Sequence, residues 1–516
     1  MKSICSMVLF RRFMVCMLFV FVLVAFISFT GTATAVYAET FTVTSTSDDI
    51  LVEGSLRYAI KNATSQDVIT FGLEYPAIIT LNEQLSIDHG LTIQGPGADL
   101  LAVSGGGKCR VFYIEDTTES VDISGISIVS GDAEQYEHSS GGGIYNLSDY
   151  LTVDNCRFSG NYAEIGGGMY NFSSSPEVIN CVLNGNIAED IGSTYGGGIF
   201  NSQSSPKVSS CTFYNNYAIS SNFGDSYGGG IANSDGSNPV VTNCTFSGNM
   251  AKCGGGLYNL SSNPIVTNCT FSLNSADYGG GMYSFNACSP TVTNCIFWDS
   301  NGGEIYIDPD EFSPSIPKLS FCVVQNNDVG NGTISNDIIS ADPNLQDLAD
   351  NGGPTWTCAL GEGSSAIDAG TSVESPTTDQ RGAPRPDDVS FDIGAYEDGL
   401  EVYEITATCS EGGAISPTEA HTLAGIEDEV FYLIPDEGYV IEAVYIDEGV
   451  VSYDKASNTY TFHNVSADHE ISADFQPSAS DYDMITGNSD GCNVSALPGM
   501  TLLVVLPLLF LSGKMK

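Results

Sequence analysis

Of the 516 residues, 63 are acidic and 16 basic, a formal net charge of −47. Such a surface repels nucleic acid, anionic lipid and anionic polysaccharide, which excludes partners recruited by a basic patch, and it keeps a chain with 56 glycines in solution. The carboxylates are scattered and the cysteines lack Cys-x-x-Cys spacing, so the expectation is no zinc, no cofactor and at most non-specific Ca2+.

Arg11-Arg12 leads into an apolar run from Phe13 to Phe29, and Val36-Tyr37-Ala38 offers the small-residue cleavage pattern of a secretory signal peptide. Residues 1–38 are therefore expected to be removed after Ala38 and the remainder exported. Residues 39–77 read as an N-terminal cap, with a strand at Thr42-Val43-Thr44 and a short amphipathic helix at Ser55-Leu56-Arg57-Tyr58-Ala59-Ile60. A stack of strands with an open end needs such a cover.

From 78 to 340 the pattern is that of stacked coils. Residues 78–130 alternate in short strands such as Ile78-Ile79-Thr80-Leu81 and Val111-Phe112-Tyr113-Ile114. Between 138 and 302 one unit recurs six times: a triple glycine, a polar gap, then Val-x-Asn-Cys-x-Phe with an Asn three residues on, the cysteines separated by 25, 30, 33, 25 and 26 residues. A period that absorbs insertions in this way belongs to coils whose loops lie outside the core. Cys and Phe share one strand face, but Val, three before Cys, points the other way unless a bend intervenes. The residue before Cys is Asn155, Asn180, Asn243, Asn268 or Asn294, and Ser210 once. Asn best tolerates the left-handed conformation of a sharp turn. Val, Cys and Phe then all face inward, and the expected fold is an all-β right-handed parallel β-helix of about ten coils at about 4.8 Å each. A worn seventh unit follows at Gly302-Gly303-Glu304-Ile305-Tyr306 and Leu319-x-x-Cys322.

The columns nominate residues. Cys156, Cys181, Cys211, Cys244, Cys269 and Cys295 are expected as a ladder of buried thiols whose side chains run parallel instead of converging on disulfides. Cys253 and Cys288 lie outside the ladder and are free to pair in an oxidising compartment. Tyr145, Tyr170, Phe200, Tyr258 and Tyr283 occupy one repeat position; they pack a rung as an aromatic stack or, if exposed, form a sugar-binding stripe. The triple glycines are expected at tight corners or close approaches between coils.

Residues 341–398 break the period and read as the domain that closes the helix. Residues 399–476 form a separate small β module, and 477–490 a polar linker. In the tail, 491–516, Gly491-Cys492 precedes an apolar stretch from Ala496 to Leu511. That stretch is expected as a hydrophobic helix anchoring the chain or serving as a sorting signal, with Cys492 as the point of processing or lipidation.

The Gly-Gly-Gly-Ile-Tyr-Asn and Asn-Cys-Thr-Phe-Ser-x-Asn copies resemble the repeats of chlamydial-type polymorphic outer-membrane proteins over residues 138–302. Gly54-Ser55-Leu56-Arg57 looks like the opening motif of large bacterial β-helix surface proteins. Asp379-Gln380-Arg381-Gly382 with Asp392-Ile393-Gly394-Ala395-Tyr396-Glu397 is similar to the choice-of-anchor-type domain that closes such helices. Residues 401–475, through Tyr460-Thr461-Phe462 and Ala467-Asp468-His469, look like an internalin-type bacterial B repeat, and the Gly-Cys tail resembles bacterial sorting signals of the Synergistetes type. The polymorphic proteins end in an outer-membrane barrel, whereas no run of alternating strands of about ten residues follows the repeats here, so secretion through its own barrel has no support. The resemblance implies surface exposure and adhesion and carries no catalytic residues.

Two functions compete. The first is a non-enzymatic rod of the cell envelope, outer membrane or cell surface, or secreted, serving as adhesin, glycan-binding element or envelope structure. Its partners would be a glycan or a host or neighbouring-cell surface, the membrane through the tail, and the export and sorting machinery. The second is a polysaccharide lyase or glycoside hydrolase, since the same scaffold hosts both kinds of protein. A lyase on polyuronate needs gathered cations and a glycosidase needs paired acids. Lys108, Arg110, Arg157, Lys207 and Lys252 are scattered, and Asp154, Glu164, Glu177 and Glu189 sit at unrelated offsets, so the non-enzymatic rod is expected.

Overall fold

The computed structural model describes residues 38–478 apart from short stretches at 137, 223, 309–314, 330–332, 335–336, 387–389, 400–401, 424–427 and 464. The expected signal peptide, most of the linker, Cys492 and the hydrophobic tail lie outside the described residues. Among the described residues no helix is long and apolar enough to cross a membrane.

Three parallel sheets, of twelve, eleven and nine strands, wind around one core. Their register is the sequence repeat. In the first sheet Val153, Val178, Val208, Val241, Val266 and Val292 pair in succession. The second carries Phe158, Leu183, Phe213, Phe246, Phe271 and Phe297, and the third begins each strand right after the glycines, with Ile144, Met169 and Ile199. Asn155, Asn180, Ser210, Asn243, Asn268 and Asn294 have φ of 50, 52, 52, 51, 52 and 51°, so the bend that turns Val and Cys to the same side lies where the repeat requires it.

The glycines serve both expected purposes. The first of each triple turns a corner at φ between 63 and 67°. The second and third lie against the next coil: a Cβ on Gly229 would fall 2.5 Å from the Met250 nitrogen and 2.6 Å from the Gly255 oxygen. Gly229→Ala is expected to lower stability by about 1–3 kcal/mol through overpacking against main chain that cannot move aside, measured as a shift of the urea midpoint.

Two asparagine columns run through the interior. Asn161, Asn186, Asn216 and Asn249 each donate Nδ2 to the Oδ1 of the next asparagine, ending at Asn274, at 2.9 to 3.0 Å. Each also donates to a carbonyl one coil back, such as Phe158 O from Asn186 at 3.1 Å. The second column, Asn171 to Asn201 to Asn233 to Asn259 at 2.9 to 3.0 Å, is one that sequence reading passed over. Bonded amides of this kind keep polar groups in a dry core without an unmet donor.

The six ladder cysteines are free and buried, joined by Cys322. Their thiols donate to main chain, as Cys244 Sγ does to Thr242 O at 3.2 Å, and burial holds the Cys156 thiol well above its ordinary range. Cys253 and Cys288 do not pair. Cys288 stands in for a serine in a buried column, its Sγ accepting from Ser262 N at 3.3 Å just as Ser237 Oγ accepts from Ser204 N at 3.0 Å. Cys253 sits in a different column, bridging Tyr227 and Tyr278.

At the N-terminal end helix α1 (Leu56–Asn62) buries Leu56, Ala59 and Ile60, and Ser55 caps it by accepting from Tyr58 N. Arg57 locks the cap through Asp48 at 2.9 and 3.0 Å. Residues 342–397 leave the last coil and run back along the outside of the second sheet, forming a lateral clasp. The C-terminal module folds as a five-stranded and a three-stranded sheet around Ile405, Phe431, Val444 and Ile471.

A candidate binding cleft between coils, clasp and module

The clasp is held by polar side chains that the coils present outward. Gln380 donates to Thr212 Oγ1 at 3.0 Å and accepts from Thr245 Oγ1 at 2.7 Å. Asn243 donates to Thr378 O at 2.8 Å. Asn294 donates to Thr371 O at 2.8 Å while its Oδ1 accepts from Thr371 N at 3.0 Å, so one side-chain amide reads both main-chain groups of a residue. Inside the clasp Arg381 is fully buried, donating to Asp379 Oδ2 at 2.8 Å and Glu397 O at 2.6 Å with its guanidinium 3.7 Å from the Tyr396 ring centre. Arg385 pairs with Glu397 at 2.6 Å. The Asp-Gln-Arg-Gly and Asp-Ile-Gly-Ala-Tyr-Glu motifs thus build the clasp and its seat.

The clasp reaches as far as the coil of Ser210, where Thr355 Oγ1 donates to Ser210 O at 3.0 Å. The module touches the helix farther toward its start, where Tyr432 donates to Pro96 O at 2.8 Å. Between them lies a cleft of about 500 Å³. Asn155 and Arg157 form its floor, Asp350 and Trp356 its clasp wall, and His421, Asp428 and Glu429 its module wall. An adjoining hollow extends it over Asn180 and Val182.

Trp356 is 39% exposed and meets Tyr214 edge-on at 6.4 Å. Arg157 bonds Asp99 at 2.6 Å, His421 lies 3.5 Å from Asp350, and His463 lies 2.7 Å from Asp428. Asn180 donates to Asp154 Oδ1 at 3.1 Å. An open indole beside amides and carboxylates supplies stacking and hydrogen bonding. Repeat analysis missed this site because its walls come from non-periodic segments; the only sequence hint was that Trp356 is one of two tryptophans in the chain.

The nominated aromatics do stack, with Tyr170 on Phe200 at 5.4 Å and 6° and Tyr258 on Tyr283 at 5.5 Å and 18°. They project from the third sheet, but a second column, Tyr195, Tyr227, Cys253 and Tyr278, packs beside them. Tyr145, Phe200, Tyr258 and Tyr283 are exposed by 7% or less, their rings covered by neighbouring aromatics and, for Tyr145, by Arg110. Tyr170 is half-buried, and the outer Tyr278 is 46% exposed. Arg110 closes the N-terminal end of the stack, 4.6 Å from Tyr136 and 5.0 Å from Tyr145, and burial lowers its pKa to about 10. Of the other scattered ions, Lys207 pairs with Glu177 at 2.6 Å and Lys252 with Asp225. Ala38 is exposed at the start of the described chain. Among the described residues no group of three or more His, Cys, Asp or Glu is placed to hold a metal ion.

Glu304 replaces the third glycine in the worn seventh unit and closes the first asparagine column, accepting from Ser300 N at 2.9 Å. Burial raises its pKa from 4.5 to about 7. The folded state therefore favours the neutral acid, and this contribution to stability is full below pH 4.5 and is lost as pH rises through about 7. Glu304→Gln is expected to flatten the fall in urea midpoint across that window, with the variant the more stable at pH 8.

Residues 88–262 and 219–341 match the family model described as right handed beta helix region. The architecture is thus a right-handed parallel β-helix of about ten coils with a small β-rich C-terminal region. No curated protein matches the chain. Among solved structures, pectate lyase Pel9A is 14% identical with a TM-score of 0.42, the match covering 70% of this chain and 96% of that one. The PL6 family alginate lyase AlyGC is 10% identical with a TM-score of 0.32, covering 72% of this chain and 61% of that one.

Proposed function

We propose that the chain is a non-enzymatic β-helix protein of the cell surface that acts as a glycan-binding adhesin, taking its ligand in the cleft between coils, clasp and module. The observation that carries this reading is Trp356, open to solvent and surrounded by amides and carboxylates in a hollow of about 500 Å³. An exposed indole offers an apolar face to a sugar ring while the polar groups meet its hydroxyls. Against a polyuronate lyase stands the cleft's charge: Asp99, Asp350, Asp428 and Glu429 face a single guanidinium, Arg157. Export and envelope attachment rest on the sequences of residues 1–38 and 491–516.

The test is the purified full-length protein on an array of polysaccharides and matrix proteins, scored for retained binding and for released reducing or unsaturated sugar. Glycan retention without product is expected. Release of product would overturn the non-enzymatic reading.

A further inference from the structure

Resting on that reading, we infer that the cleft takes an uncharged glycan of N-acetylated amino sugars, recognised through its acetamido groups. The residue that precedes each ladder cysteine, asparagine in five coils and Ser210 in the sixth, forms a row along the helix at one position per coil. Where the clasp covers the row, Asn243 holds one main-chain carbonyl and Asn294 holds both the N–H and the C=O of Thr371, while Asn268 between them accepts from Ser375 Oγ and from Asn294 Nδ2. The row continues under the cleft as Asn155 and Asn180, one coil apart, about 4.8 Å. Asn155 is exposed there and makes no side-chain hydrogen bond among the described residues. Its Oδ1 and Nδ2 present the donor and acceptor pair that Asn294 uses on a secondary amide, and an acetamido group is a secondary amide.

Charge narrows the class further. The carboxylates of the walls lie in the field of a chain of net charge −47, which disfavours uronates, sulfated sugars and phosphate. Trp356 stands across the floor from Asn155 and supplies a face for the pyranose ring or the acetyl methyl group.

The experiment compares an N-acetylglucosamine hexamer, its unacetylated glucose counterpart and an oligogalacturonate, titrated calorimetrically into the full-length protein, Asn155→Gly and Trp356→Ala. Glycine keeps the left-handed backbone at 155, and thermal melting checks that each variant is folded. The expected result is binding of the N-acetylated hexamer at least tenfold tighter than the glucose oligomer, weakened tenfold or more in both variants, with no binding of the uronate. Equal affinity for the glucose oligomer, or an unchanged affinity in Asn155→Gly, overturns acetamido recognition and leaves glycan binding standing. Tighter binding of the uronate overturns the charge argument. Failure of all three oligosaccharides, with the array also silent for glycans, overturns the underlying reading and this inference with it.

Discussion

Phe246→Ala is expected to destabilise the helix by about 3–5 kcal/mol, the cost of emptying a buried aromatic site that cannot collapse. The ring is fully buried and stacks on Phe213 and on Phe271, each at 4.6 Å. Neighbouring coils cannot close the gap, because main-chain hydrogen bonds such as Ile231 N to Gly256 O at 2.9 Å and the Asn216–Asn249 amide bond fix their spacing. Urea unfolding of the full-length protein measures the loss. Phe246→Leu should cost much less, since Leu183 already occupies the equivalent rung and stays fully buried. Equal losses for the two variants would mean that stacking, not volume, sets the column.

Arg381→Ala is expected to cost about 3–5 kcal/mol at the clasp, because it strands a buried carboxylate. Asp379 is as deeply enclosed as its partner and also accepts from the main-chain N–H of Arg381, Ala383 and Glu397, so its position organises the whole loop. Lysine should not rescue it, since a single ammonium cannot donate at once to Asp379, Asn351 O and Glu397 O while lying flat on Tyr396. The measurement is limited proteolysis: cleavage within 342–397 should precede any cleavage of the coils, and Trp356 fluorescence should shift as the cleft wall detaches. Simultaneous loss of coils and clasp would show instead that the two unfold as one unit.

What the sequence made legible follows from periodicity. Asn155 and its equivalents declared the bend, because a Val three residues before an inward Cys has no other way to face the core. The glycines declared close packing, and the first asparagine column followed from its place after Phe. The second column, at Asn171 and its neighbours, was written in the same repeat but sat beside an aromatic position, read as a packed stack or, if exposed, a sugar-binding stripe. That stripe lies mostly inside because Tyr195 and Tyr227 precede the glycines, a position with no fixed residue type, and nothing in one copy tells which loop will fold over which ring. Cys288 looked like an outlier only because its column is otherwise serine. The cleft depends on segments near 155, 356 and 421, brought together by tertiary packing alone, and no local spacing encodes that meeting.

The clasp has a consequence for how such a rod varies in length. Its bonds to the coils join residues 77 to 168 positions apart, from Asn294–Thr371 to Thr212–Gln380. It works as a caliper whose jaws are set to a fixed count of turns. One extra unit between Ser210 and Asn294 would open the span by about 4.8 Å and leave one jaw without its seat, whereas a unit added ahead of residue 96, before the coil on which Tyr432 rests, would lengthen the rod and leave the caliper untouched. Gain and loss of copies by gene duplication should therefore be recorded toward the N-terminal end, with the number of turns under the clasp held constant.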